Sequence, residues 1–199
     1  MRLTIEQIPS HLRSGIWANL IAPRPLALIS TLGSDGVPNI APYNSYTGLA
    51  TNPPLLGVSF SQGEGGEKQT LANIKATEEF VINLVPRFLA EEMNSAAAKA
   101  DHADDFVRLG LTHIASESVA CPRIGESPAS LECRLLQIVP LPPSRCELVI
   151  GQVVGIFVRD EFYSNDKGFD TLASDLLASV GPEDYISVNG ELLHLPKTW

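Results

Sequence analysis

Residues 24–47, RPLALISTLGSDGVPNIAPYNSYT, decide how the rest of this chain is read. RPLALISTL (24–32) is a short apolar run, as expected of a buried strand. Gly33-Ser34-Asp35-Gly36 is a strong turn signal, and 37–47 is a second extended segment, so the two form a hairpin. Pro38 and Pro42 each remove a ladder donor, which places this second strand at an edge or a bulge.

The same reading continues outward. LLGVSF (55–60) is a third strand, SQGEGGE (61–67) a glycine-rich loop, and a short helix opens with Thr70 as N-cap and Leu71 and Ile74 at apolar i, i+3 spacing. FVINLV (80–85) is a strand. Residues 87–99 are helical, with Leu89, Met93, Ala96 and Ala97 on one side. Asp104 or Asp105 caps a further turn that Gly110 stops. Later strands span 130–139 and 147–158, a helix capped by Asp170 spans 170–178, and 185–195 holds one or two short strands. Some six or more strands in hairpin order, without βαβ alternation, predict a mainly β fold: an antiparallel barrel with short helices. Neither a repeat nor a linker divides the chain, so residues 1–199 are expected to form a single domain.

Composition narrows the function. Fourteen Lys and Arg stand against 23 Asp and Glu, a net charge of −9, which argues against a nucleic-acid partner, which needs a basic footprint, and against docking on anionic lipid. The longest apolar run, Leu148–Val158, is too short to span a bilayer, and the N-terminus lacks a secretory h-region. A cytoplasmic protein without a membrane partner is expected. Cys121, Cys133 and Cys146 have no CxxC spacing and read as free buried thiols. The four histidines are scattered, no carboxylates are paired by spacing, and no nucleophile or phosphate-loop motif occurs. No catalytic side chain and no metal site are therefore expected, and any demanding chemistry falls to a cofactor.

Two segments carry more polarity than structure requires. Asn39–Pro54, NIAPYNSYTGLATNPP, sets Asn44, Ser45, Tyr46 and Thr47 side by side on extended backbone, whose free amides and carbonyls could pair with a flavin's pyrimidine edge. On pattern alone an edge strand with a polar solvent face fits at least as well. In Phe60–Ile74, FSQGEGGEKQTLANI, Lys68 stands just before a helix start, where unpaired N–H groups, a hydroxyl and an ammonium suit a phosphate. Alone, that pattern is more often a surface loop with a routine cap.

Taken in order, these segments resemble the flavin reductase-like FMN-binding family. The resemblance rests on APRPLALISTLGSDGVPN, then NIAPYNSYTGLATNPPLL, then Lys68-Gln69-Thr70-Leu71-Ala72-Asn73-Ile74, FVINLV, GESPASLECRL and LVIGQVVGIFV. It covers about Ile21 to Leu195. It implies the FMN-binding split barrel, an antiparallel Greek-key fold, with FMN as cofactor. Asn44, Ser45, Tyr46 and Thr47 would line the isoalloxazine and ribityl. Ser59, Phe60 and Ser61 would stand beside the ribityl and phosphate, and Lys68, Gln69 and Thr70 would form the phosphate-side loop. NADH or NADPH is implied as a transient hydride donor to flavin N5, and a homodimer as the assembly. The resemblance also admits an FMN electron-transfer protein without a nicotinamide site, or a flavoenzyme related to pyridoxamine-phosphate oxidases. Two positions depart from the family pattern: Gln69 stands where aspartate is usual, and SVGPEDY (179–185) where Gly-Gly-x-x-Tyr is common, which leaves the place of Tyr185 open. Arg24 is equally a cation for the flavin or a strand-start anchor.

Overall fold

A computed structural model describes residues 2–62, 66–98, 104–166 and 168–195. In chain order the elements are α1 (Ser10–Leu20), β1 (Arg24–Pro25), β2 (Ala27–Leu32), β3 (Pro38–Tyr43), β4 (Tyr46–Thr51), β5 (Pro54–Ser61), α2 (Gln69–Thr77), β6 (Glu79–Leu84), α3 (Ala90–Ala96), α4 (Asp105–Leu109), β7 (His113–Ile114), β8 (Arg123–Ile124), β9 (Ala129–Pro140), β10 (Cys146–Val158), β11 (Tyr163–Ser164), β12 (Gly168–Phe169), β13 (Leu177–Ser179) and β14 (Tyr185–Ser187).

Seven strands make one antiparallel sheet in the order β3-β2-β6-β9-β10-β5-β4. Its two edge strands, β3 and β4, are consecutive in the chain and joined only by Asn44 and Ser45. Three residue steps of extended backbone span at most about 11 Å. The two edges must therefore approach each other, and the sheet curls into a barrel split between β3 and β4. The main-chain bond from Ser59 N–H to Ser45 O, 3.1 Å, secures the far side of that junction.

The barrel interior holds Ala27, Ile29, Tyr43, Leu56, Val58, Phe60, Phe80, Ile82, Cys133 and Val149, and α2 closes it with Leu71 and Ile74. The alternate residues of β2 and β3, including Leu28 and Ile40, face outward into a second core under α3 and α4, with Val85, Leu89, Met93 and Phe106. This double cover explains why β2 reads as a continuous apolar run and not as an alternation. Between the layers Asn83 is fully buried. It donates to Leu28 O and Ser30 Oγ and accepts from Ile124 N–H and Ser130 Oγ.

The structure corrects the sequence reading at several places. The extended segment 37–47 is two strands with a break at Asn44–Ser45, and the proline-bearing β3 is indeed an edge. Leu26 separates β1 from β2. The N-cap of helix α2 is Lys68, two residues before the expected Thr70, so Thr70 lies inside the first turn and caps nothing. No helix forms over 170–178. Asp170 Oδ1 accepts from Ala173 N–H, but a single turn follows before Asp175 takes φ +47° and the chain enters β13. The left-handed Asp175 stops helical propagation. The tail holds β14 alone, and α1 was not foreseen because its apolar residues, Trp17 and Leu20 among them, are exposed. Asp104 does cap α4, accepting from Phe106 N–H, with Gly110 at φ +68° as its stop. Residues 63–65 of the glycine-rich loop and residue 99 of the helical stretch lie outside the described residues. Cys121 and Cys133 are free and buried, whereas Cys146 is half-buried. No helix among the described residues is long and apolar enough to cross a membrane.

Candidate functional site

The barrel split gathers most of the residues singled out from the sequence. Asn44 and Ser45 are the link across it, and Tyr46 and Thr47 begin β4, opposite Val58 and Gly57 of β5. Ser45 Oγ donates to Ser59 O at 2.7 Å, so Ser45 and Ser59 are one unit pinning β4 to β5. Ser59 is half-buried and Ser61, the last residue of β5, is exposed. Phe60 points the other way: it is fully buried, with its ring centroid 4.8 Å from that of Tyr43. Of the expected cofactor-binding residues, Phe60 is thus a core side chain that can offer a ligand only its backbone.

The second group lies at the start of α2, on the barrel end closed by Leu71 and Ile74. The first main-chain bond of this helix runs from Ala72 N–H to Lys68 O. The amides of Gln69, Thr70 and Leu71 therefore have no acceptor within the helix, and the positive end of its dipole lies there. Lys68 is exposed, with Nζ 5.1 Å above the Tyr43 ring. No carboxylate among the described residues pairs with it. Gln69 Nε2 donates to Asn73 Oδ1 at 2.7 Å, and Asn73 Nδ2 donates to Thr31 Oγ1 at 3.0 Å. Thr70 is 2% exposed; its hydroxyl accepts from Asn39 Nδ2 at 3.2 Å and lies against the Tyr43 phenol. A ligand at this helix start meets the backbone of Thr70, because the side chain is engaged below.

Tyr43 is the hub that the sequence reading passed over. It lies under Lys68, beside Thr70 and Phe60, and directly before Asn44, so it joins the two groups. Burial pushes its phenol up to about 12, against a smaller opposing pull from the Thr70 hydroxyl. Burial likewise pushes Tyr46 up to about 12. Both phenols are neutral at any physiological pH and add no charge to the site. The signal that could have found Tyr43 was its place after Asn39-Ile40-Ala41-Pro42, the only aromatic side chain of that edge strand.

The other side of Asn44 borders a cleft of about 120 Å³, lined by Leu26, Pro42, Met93, Asn94, Ala97 and Tyr185 together with Tyr43 and Asn44. Its lining carries no formal charge, which suits a neutral ring with a few hydrogen-bonding groups. Tyr185, on β14, is 41% exposed at its rim. Arg24 is an anchor: its Nη2 donates to Ser179 Oγ at 2.9 Å and to Gly181 O at 3.0 Å, and Asn44 Nδ2 is 3.4 Å from the same Ser179 Oγ. Arg24 Nε is buried without a partner among the described residues. A group with an anionic end and a planar polar ring therefore fits the donors present: amides without an acceptor among the described residues and an ammonium at α2, and polar edge-strand backbone at Asn44–Thr47 with an orphaned guanidinium N–H nearby.

Comparison with known proteins agrees with this geometry. The family described as flavin reductase like domain matches residues 20–173. An uncharacterized protein of Halalkalibacterium halodurans is 31% identical over 191 residues, covering 93% of this chain and 91% of the relative. Among solved structures, nitrilotriacetate monooxygenase component B from Bacillus cereus superposes with a TM-score of 0.91 at 26% identity, covering 98% of each chain. A protein with a split barrel domain from Shewanella frigidimarina gives a TM-score of 0.88 at 26% identity, covering 99% of each chain.

Proposed function

This chain belongs to the flavin reductase-like domain family, and from that premise we propose that it is an FMN-dependent oxidoreductase reduced by NADH or NADPH. The cofactor is FMN. The observation that carries the reading is the junction of two donor groups at the barrel split. The amides and ammonium at the start of α2 would take the phosphate, and the polar edge-strand backbone of Asn44–Thr47 would take the ring.

Bound there, FMN supplies a hydride acceptor, so the protein itself needs no nucleophile. Its residues have other tasks. Lys68 and the amides of Gln69 and Thr70 hold the phosphate, and Ser61 borders it from the end of β5. Ser45 and Ser59 fix the separation of β4 from β5 on which the ring and ribityl would rest. Tyr46 and Thr47 present backbone to the ring edge. The uncharged cleft beyond Asn44 accepts the nicotinamide ring of the donor, with Asn94 and Tyr185 as hydrogen-bonding partners. Holding the donor carbon within about 3.5 Å of the acceptor is then a matter of position, without acid–base help.

The likeness to a monooxygenase component supports a role in handing reduced flavin to an oxygenase. The chain acts as one domain and as a homodimer, which would cover exposed apolar side chains such as Trp17, Leu20 and Ile156. Anaerobic mixing of the FMN-loaded protein with each nucleotide tests the reading. Loss of the oxidised flavin band with NADH or NADPH is expected. Persistence of the band with both, with reduction only by a partner protein, would make this an electron-transfer protein instead.

A further inference from the structure

The segment that leads into the α2 helix start carries an acidic residue in the worst position for an anion-binding site. Glu67 immediately precedes the N-cap Lys68. A carboxylate there is the natural occupant of a helix start, drawn by the unpaired amides and the dipole. It would also lie next to the Lys68 ammonium.

It is not found there. Glu67 Oε1 is 2.5 Å from the Nζ of Lys75, which sits in the last turn of α2. Lys75 lies seven residues beyond the N-cap, so its side chain reaches back along the helix to meet the carboxylate, which accepts no hydrogen bond from the amides at the α2 start among the described residues. Lys75 is itself held from the other side, by Glu147 Oε2 at 2.9 Å and Oε1 at 3.2 Å. Glu147 also accepts from Gln62 Nε2 at 3.4 Å, and Gln62 N–H donates to Arg145 O at 3.0 Å. Gln62 and Glu67, on either side of the glycine-rich stretch, are thus fastened to one ion-pair cluster on α2 and β10.

Resting on the phosphate site proposed above, we infer that Lys75 is a positioning residue for FMN: it sequesters Glu67, which would otherwise occupy the α2 helix start and compete with the phosphate. Lys75 touches no ligand. Its effect is selective for the phosphorylated flavin, because riboflavin has no group at the helix start.

The test is equilibrium binding of FMN and riboflavin to the full chain and its variants by flavin fluorescence, with Tm measured alongside. Lys75→Met is expected to weaken FMN binding roughly two- to fivefold, the range for an anion at a helix terminus, and to leave riboflavin unchanged. Lys75→Met/Glu67→Gln is expected to regain wild-type FMN affinity, since the competitor is then neutral. A merely structural Lys75 would weaken both flavins and would not be rescued by Glu67→Gln; that pattern, or an unaltered FMN affinity in Lys75→Met, overturns the inference. Glu67→Gln alone is the second arm. Equal or tighter FMN binding supports sequestration, and weaker binding would mean that Glu67 serves the site, which also overturns it. Wild-type protein that binds FMN no better than riboflavin refutes instead the phosphate site on which the inference stands.

Discussion

Removing the charge of Lys68 tests the phosphate end of the site. The ammonium lies 5.1 Å above the Tyr43 ring, it is exposed, and Glu67, its neighbour, is engaged by Lys75. Its donors are therefore available to a phosphate. A charge-assisted hydrogen bond is worth about 1.5–3 kcal/mol, or roughly 10- to 100-fold in affinity. Water competes at an exposed site, which places the expected loss for Lys68→Ala near the lower end, about tenfold. Lys68→Met keeps the stem over Tyr43 and loses only the charge, so it should match Lys68→Ala within about twofold if the charge is what matters. Fluorescence titration with FMN measures the loss, and riboflavin is the control, expected to bind the wild type and both variants alike. An unchanged FMN dissociation constant, or an equal weakening of riboflavin, would refute the assignment of Lys68 to the phosphate.

Other expectations concern the scaffold that holds the site. At Gly151 an added Cβ would lie 2.5 Å from Phe80 Cζ in the barrel core. Gly151→Ala should cost about 1–3 kcal/mol, lowering Tm by roughly 3–10 °C in calorimetry; a smaller shift would mean that Phe80 yields freely. Asn83→Ala orphans the Ile124 N–H and the buried Ser130 hydroxyl and should cost at least about 2 kcal/mol in urea unfolding, with native-like stability as the contrary result. Tyr43 and Tyr46 have folded values raised to about 12, above the ordinary value of 10. The folded state therefore holds protons that the unfolded state releases, and stability is complete below pH 10 and falls as pH rises towards 12. Tyrosinate absorbance should show two of the chain's four tyrosines ionising late or only on unfolding. Ordinary titration of all four would contradict their burial.

Much of the barrel was legible because hairpin signals are local. Gly33–Gly36 and the prolines of 37–47 located the first hairpin and its edge without any tertiary information. The long strands near 130–139 and 147–158 were found within one residue at each end, because alternating and branched apolar residues mark them. What failed was decided by contacts distant in sequence. The break at Asn44–Ser45 follows from the need to cross from one sheet edge to the other. The turn at 170–175 overrides a helical pattern because β13 must reach β1 and β14. In the candidate site, charge and hydroxyl content drew notice to Lys68 and Thr70. The role of Tyr43 stayed hidden because an aromatic residue in a strand reads first as core, which it also is. Arg24 was ambiguous from sequence and resolves as an anchor because its partner, Ser179, lies 155 residues away.

A crystal structure of this chain with FMN tests the central claim most directly. The account places the phosphate within hydrogen-bonding reach, about 3.2 Å or less, of Lys68 Nζ and the amides at the start of α2, with the isoalloxazine edge on the backbone of Asn44–Thr47 across the barrel split. A flavin bound elsewhere, or one whose phosphate faces away from α2, would contradict it.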